Sequence, residues 1–180
     1  MYSRKAIFQD YTVQLVCHNP FWREETESVA DVAAWLGGFE FELEIPIETG
    51  IELGSREPSI IVNVYNQGDV KTGIRIDFRA IGTVVNPSLL NVHTGEFIKV
   101  NYTLEAGDIL SISTYYGGKE VVLHTGGQTI DAFRYLDADS SYLQLDVGDN
   151  LFRYDATAHL DALEAYIKHN HPLLGVEGVE

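Results

Sequence analysis

The sequence predicts an all-β protein, a sandwich of two antiparallel sheets, and three observations carry that prediction. Alternating apolar and polar runs, about a dozen of them, recur at intervals of roughly 8 to 12 residues. Turn residues punctuate the runs, with 16 Gly and 5 Pro in the chain. No segment shows the long 3.6-residue periodicity of the helices that a parallel sheet needs for its crossovers. Ten Tyr and eight Phe suit the same fold, because aromatic rings pack well across neighbouring strands. At 180 residues the chain has the length of one domain, able to bury roughly 70% of the surface its unfolded form exposes.

The elements follow in order. Ala6 to Cys17 places Ile7, Tyr11, Val13 and Leu15 largely at a period of two, which predicts a strand ending at the turn His18-Asn19-Pro20. Phe21 to Thr26 reads as irregular chain crossing a sheet edge, with the Trp22 ring at the core rim. Val29, Val32, Ala33 and Leu36 fall at helical spacing ahead of Gly37-Gly38, so the one short helix expected lies over residues 28–36. Phe39, Phe41, Leu43 and Ile45 alternate strictly with Glu40, Glu42 and Glu44, the pattern of a strand with one wet face. The glutamate row could attract a cation, but solvation accounts for it, and such a row also discourages edge-to-edge aggregation. Residues 46–58 read as a surface loop with a short strand near Ile51 to Leu53.

Ile60, Val62 and Val64 begin a strand that closes at Asn66-Gln67-Gly68-Asp69, and Gly73 to Ala80 returns as the second half of a hairpin. Pro87 interrupts the chain and fixes a kink. Leu89 to Val92, Glu96 to Val100, Ile109 to Thr114 and Glu120 to His124 are further strands, separated by turns at Thr94-Gly95, Ala106-Gly107-Asp108 and Gly117-Gly118. Thr129 to Leu136 reads as a strand followed by one tight helical turn. Tyr142, Leu143 and Leu145 return to strand before Gly148-Asp149-Asn150 turns the chain into Leu151 to Tyr154. Over residues 156–169 local rules conflict. The alanines and leucines favour helix, whereas a closing strand forms if a sheet supplies a neighbour.

The charge narrows the partners. Twenty-seven acidic against 12 basic residues give a net charge of -15, which repels nucleic-acid phosphates and anionic membrane and leaves no basic stripe. Neither nucleic acid nor membrane is an expected partner. The acids are dispersed, so most serve as a solvated face. No run reaches the 18 or so apolar residues of a membrane helix, and no signal-peptide pattern opens the chain. The single Cys17 forms no internal disulfide and reads as a small buried hydrophobe.

Residues able to carry chemistry are present but do not combine. His18, His93, His124, His159, His169 and His171 form no spaced cluster with Cys or paired acids; the nearest approach, His169 and His171, would share a strand face and reads as a solvent-exposed pair. Asp69, Asp108 and Asp149 each adjoin Gly. Calcium- or galactoside-binding loops can be built that way, but an Asp accepting hydrogen bonds from its own turn is sufficient. Nucleophile elbows and phosphate loops are absent, and Gly54-Ser55-Arg56 completes none. No catalytic, cofactor-binding or metal-binding residue is assigned, and no cofactor is expected.

Several segments together are similar to one family. They are Cys17-His18-Asn19-Pro20-Phe21-Trp22, Val64 to Asp69, Asn86-Pro87, Thr94-Gly95-Glu96, Gly107-Asp108-Ile109-Leu110, Tyr142-Leu143-Gln144-Leu145 with Gly148-Asp149-Asn150, and Leu174-Gly175-Val176. Spread from Ala6 to Val176, they resemble the C-terminal domain of the siphophage distal tail protein, which in phages and prophages of Gram-positive hosts joins the tail tube to the tip. The resemblance implies a galectin-like, jelly-roll-like sandwich, and a closing strand over Leu163 to His169. It implies a virion structural component, assembled in the bacterial cytoplasm, that docks baseplate or receptor-binding proteins and is not an enzyme.

Family members also carry an N-terminal belt domain that forms a hexameric ring. On that basis residues 1–180 are expected to be one sandwich domain from a longer protein, Met1 an added or internal start, and the isolated domain monomeric or weakly dimeric. The irregular stretch Phe21 to Gly38 offers a contact surface if Trp22 and Trp35 are exposed, but packing of both rings into the core is the plainer reading. The alternative function is a carbohydrate-binding module touching cell-wall glycans. It requires an exposed ring beside a polar rim, whereas a wall hydrolase requires converging carboxylates. A scaffold requires only a smooth acidic surface.

Overall fold

Alternation becomes pairing in a computed structural model that describes residues 61–175 continuously and, before them, residues 12–14, 16, 21–22, 26–31, 36–37 and 54–55. The strands are β1 (Ser28–Asp31), β2 (Leu36–Gly37), β3 (Gly54–Ser55), β4 (Ile61–Asn66), β5 (Thr72–Gly73), β6 (Arg75–Ala80), β7 (Val84–Asn91), β8 (Phe97–Lys99), β9 (Thr103–Leu104), β10 (Ile109–Ser113), β11 (Glu120–Thr125), β12 (Gln128–Asp131), β13 (Gln144–Leu145), β14 (Gly148–Ala158) and β15 (Leu163–His169). Single 3-10 turns occupy Phe133–Tyr135 and Leu160–Ala162.

Two antiparallel sheets make the sandwich. One has the order β1-β15-β6-β10-β11-β12, and the other runs β4-β14-β7-β8 with β9 also on β7. Their inward residues merge into one core because each strand keeps its period. On β6, Ile76, Phe78 and Ala80 are buried while Arg75, Asp77 and Arg79 alternate with them. On β15, Leu163, Ala165 and Ile167 point in, and Glu164, Tyr166 and Lys168 point out. Phe152 and Tyr154 of β14 and Leu89 of β7 supply the opposing layer, each contributing about 1.5–3 kcal/mol of burial before entropy is charged against it.

Buried polar residues organise the rims. Asn150 is 2% exposed; its Nδ2 donates to the carbonyls of Asp146 at 2.8 Å and Gly148 at 2.9 Å, and its Oδ1 accepts from the Asp146 N–H at 2.9 Å. The side chain thus replaces a backbone partner at the mouth of β14. Asn66 does the same one strand away, donating to the Val70 carbonyl and accepting from the Gly68 N–H, both at 3.0 Å.

The structure corrects four expectations. The helix expected over residues 28–36 gives way to strand in its described first half: Ser28–Asp31 pairs antiparallel with β15, Ser28 opposite His169 and Asp31 opposite Tyr166, and residues 32–35 lie outside the described residues. One helical turn cannot offset its own nucleation cost, while the free edge of β15 has backbone groups that need partners. The hairpin over residues 60–80 is not formed either, because β4 pairs with β14 and β6 with β10 and β15, in opposite sheets. The Asn66 turn carries the chain across the sandwich. Of the strand expected over Ala6 to Cys17, the described residues Thr12, Val13, Gln14 and Val16 are exposed and outside any strand; the rest, like Phe39 to Ile45, lies outside the described residues. Trp22 is 60% exposed rather than packed at the core rim, its backbone bridged to Leu173.

Pro87 kinks the chain without ending the strand. Asn86, at φ 52, lies opposite a bulge in the neighbouring chain, where Ser88 back to Val85 is three positions but Lys99 to Thr103 is four; the ladder to β14 keeps one register, and Val84 and Pro87 are both buried although three positions apart. This bulge resets the alternation between the segment that pairs with β9 and the one that pairs with β8. The conflict over residues 156–169 resolves as strand. Ala156 and Ala158 pair with β7, His159 turns at φ 60, and Leu163 to Lys168 zip onto β6.

Candidate binding surface

The outer face of the six-stranded sheet holds a trough, and the side-chain sizes explain it. Central β10 presents Ser111 outward, whereas its neighbours present Arg75 and Asp77 from β6 and Glu120, Val122 and His124 from β11. Long side chains flank a short one, leaving an open depression of about 540 Å³ that Lys168 and Thr129 also line. A second hollow of about 390 Å³ shares Arg75 and Glu120 with it and extends to Glu27, Ser113, Tyr116 and Asn170. Tyr116 stands 95% exposed at that end, on the β10–β11 turn that Gly117 closes at φ 76.

Charges on the floor are bound to one another. Lys168 Nζ lies 2.7 Å from Asp77 Oδ2, and Ser111 Oγ donates to Asp77 Oδ1 at 2.7 Å. Arg79 Nε lies 3.9 Å from Glu164 Oε2, which also accepts from Tyr166 OH at 3.2 Å. Arg75 reaches Glu27 at 4.0 Å, and Tyr115 OH donates to the same carboxylate at 3.4 Å. The face is a lattice of alternating donors and acceptors, suited to hydrogen bonding and not to proton transfer by a desolvated acid. Tyr116, an exposed ring, stands beside these polar side chains.

The residues singled out by sequence scatter. His93, His124 and His159 are exposed on separate elements, and His124 Nδ1 lies 3.1 Å from Thr129 Oγ1. His18 and Cys17 lie outside the described residues. His169 and His171 do come together, with ring centroids 4.8 Å apart, but not as the solvent-exposed pair expected: His169 is 3% exposed and His171 half-buried. Among the described residues no three of His, Cys, Asp and Glu converge on a metal-sized site. Asp108 accepts from its own turn, at 3.0 Å from the Glu105 N–H. Asp149 and Asp69 instead bond outward, to Asn63 Nδ2 at 2.6 Å and the Leu174 N–H at 2.9 Å. The trough itself escaped sequence reading. Its signal was Tyr115-Tyr116-Gly117-Gly118 at a hairpin tip, after two serines at alternate positions of β10.

A two-sheet sandwich whose polar residues cap turns, tie strands or pair across an open face is a structural or binding domain. The family model for the siphovirus-type tail component, C-terminal domain, matches residues 67–166, and the chain belongs to that family. It is therefore related to the structural components of phage tails. A solved structure, the SPP1 Dit protein, titled a paradigm of hub adsorption apparatus in Gram-positive infecting phages, shares the fold with a TM-score of 0.55 at 15% identity, over 86% of this chain and 50% of that one. The chain thus spans about half the length of that protein. No curated protein matches it.

Proposed function

We propose that this sandwich is the peripheral C-terminal part of a tail hub, which docks baseplate or receptor-binding components in the virion. The observation that carries this reading is the placement of the family match. Residues 67–166 run from the Asn66 turn to β15 and include the strands of the central core, so what the chain has in common with tail components is the rigid frame. A frame of that kind acts by contact burial, and a stable docking interface covers about 1,600 Å² in total. Light scattering tests the division of labour: the chain alone is expected to be a monomer, and a chain extended upstream through a belt domain to form a ring of six. A higher oligomer from this chain alone, or no ring from the longer one, overturns it.

A second reading, contact with cell-wall glycan, is favoured by Tyr116 and the adjoining hollow. Wall saccharide added to isotope-labelled protein is expected to shift the resonances of Tyr116 and Ser113, with Tyr116→Ala weakening binding about tenfold. Shifts confined to other surfaces, or none, remove this reading and leave the docking one standing.

A further inference from the structure

The residues after β15 close one open side of the sandwich, and two histidines sit in that closure. His169 and His171 meet edge to face at 89°. The Gln67 N–H donates to His171 Nδ1 at 3.1 Å, so the ring hydrogen is on Nε2, which donates to Ser28 Oγ of β1 at 3.0 Å. His169 Nε2 lies 3.3 Å from the Tyr65 carbonyl of β4, which can only accept, so Nε2 carries the hydrogen there too. The remaining Nδ1 of His169 is buried and has no partner among the described residues. Partners on β1, on β4 and on the turn after β4 thereby favour the same tautomer in both rings.

Backbone bonds complete the closure. Pro172 O accepts from the Asp69 N–H at 2.9 Å, and Trp22 and Leu173 exchange two bonds at 3.0 and 2.9 Å. Asp69 Oδ2 takes the Leu174 N–H. The segment from His169 to Leu174 therefore joins β1 at the edge of one sheet to β4 at the edge of the other.

We infer that this closure is a proton-operated latch: acidification charges the buried His169 and releases β1 and the chain around Trp22 and Leu173 from the β4 turn, while the rest of the sandwich stays folded. A proton on His169 Nδ1 finds no acceptor among the described residues, so charging the ring loosens the closure that it shares with His171. The charged groups around the pair do not reverse this. Glu27, before β1, attracts a charged ring, but its carboxylate is shared with Arg75 and Tyr115. Asp69 on the turn is engaged by Leu174, and Lys168 of β15 is bound to Asp77 on the outer face.

Burial, then the neighbouring His171, push His169 below the ordinary imidazole value of 6.5, against smaller opposing pulls from the Tyr65 carbonyl and Glu27. A folded value depressed below the unfolded one means that the stabilisation is complete above pH 6.5. It is lost as pH falls through the window beneath that value. The released segments are those through which the sandwich joins residues before Trp22 and after Leu174, so the latch sets how firmly the domain is tethered.

Hydrogen exchange on the full chain, corrected for intrinsic rates, tests this between about pH 7.5 and about pH 5.5. Amides of β1, Gln67, Asp69, Leu173 and Leu174 are expected to lose protection by up to about tenfold, while those of β10 and β11 keep theirs. The double variant His169→Gln with His171→Gln is expected to abolish the pH dependence. If that variant does not fold, ring resonances of the unsubstituted protein serve: charging of His169 must coincide with loss of Gln67 protection. Unchanged protection across the range, or equal loss in β10 and β11, overturns the latch.

Discussion

Phe78→Ala is expected to destabilise the sandwich by about 3–5 kcal/mol, the range for removing a fully buried ring. Phe78 is 0% exposed on β6 and stands in register between Leu110 of β10 and Ala165 of β15. Ala165 is small beside it, so the ring fills space that its neighbours cannot. Rearrangement is restricted because β6 is hydrogen-bonded on both edges, and a cavity forms that the core cannot close. A domain of this kind has a net stability of roughly 5–15 kcal/mol, so the variant loses about a fifth of it or more. Urea unfolding should show a lower midpoint at unchanged slope. Tyr65→Ala, at a side chain 58% exposed, should stay within about 0.5 kcal/mol. Equal effects from the two would sink the assignment of the core to this face of β6.

Gly73→Ala is expected to be damaging for so small a substitution, at about 1–3 kcal/mol from crowding alone. An added Cβ would stand 2.6 Å from Tyr115 Cα, 2.7 Å from Tyr115 N and 2.8 Å from Thr114 O, all of them backbone atoms that cannot swing aside. Nor can that backbone slide, since Thr114 is tied to Ile74 through its N–H to the Ile74 carbonyl at 2.8 Å and through its hydroxyl, which accepts from the Ile74 N–H at 2.8 Å. Breaking those buried bonds to relieve the clash adds about 1–3 kcal/mol for each group left unsatisfied. Gly95→Ala gives the contrast: nothing lies within 4 Å of its Cβ position, but φ is 73°, so the cost is the left-handed strain of about 1–2 kcal/mol. Thermal unfolding of the two variants separates the causes, and a milder Gly73 variant would show that β5 and the β10 end are not in close contact.

Much of the fold was legible because it depends on period and turn chemistry. β6, β10, β11 and β15 each alternate buried and outward residues, and Gly95, Gly107 and Gly117 all adopt positive φ, as turns demand of a residue without Cβ. The tight turn after β12 was legible as well. The candidate site was not, because a trough depends on which outward side chains adjoin across strands, and register is unwritten in any one strand. Ser111 carries no signal until Asp77 and Val122 are set on either side of it.

What the sequence determined by itself was the class of element and the inward face of each strand, since alternation and turn residues are local properties. Tertiary structure alone decided which sheet received each strand. Val62 and Ile76 read as two arms of one hairpin, yet they lie in opposite sheets, because the Asn66 turn crosses the core instead of folding back. The same cause settled Ser28–Asp31 and Leu163–His169. Each had local reasons to be helix, and each became strand because backbone groups on an adjacent edge gain more from pairing than a short helix recovers from its own bonds.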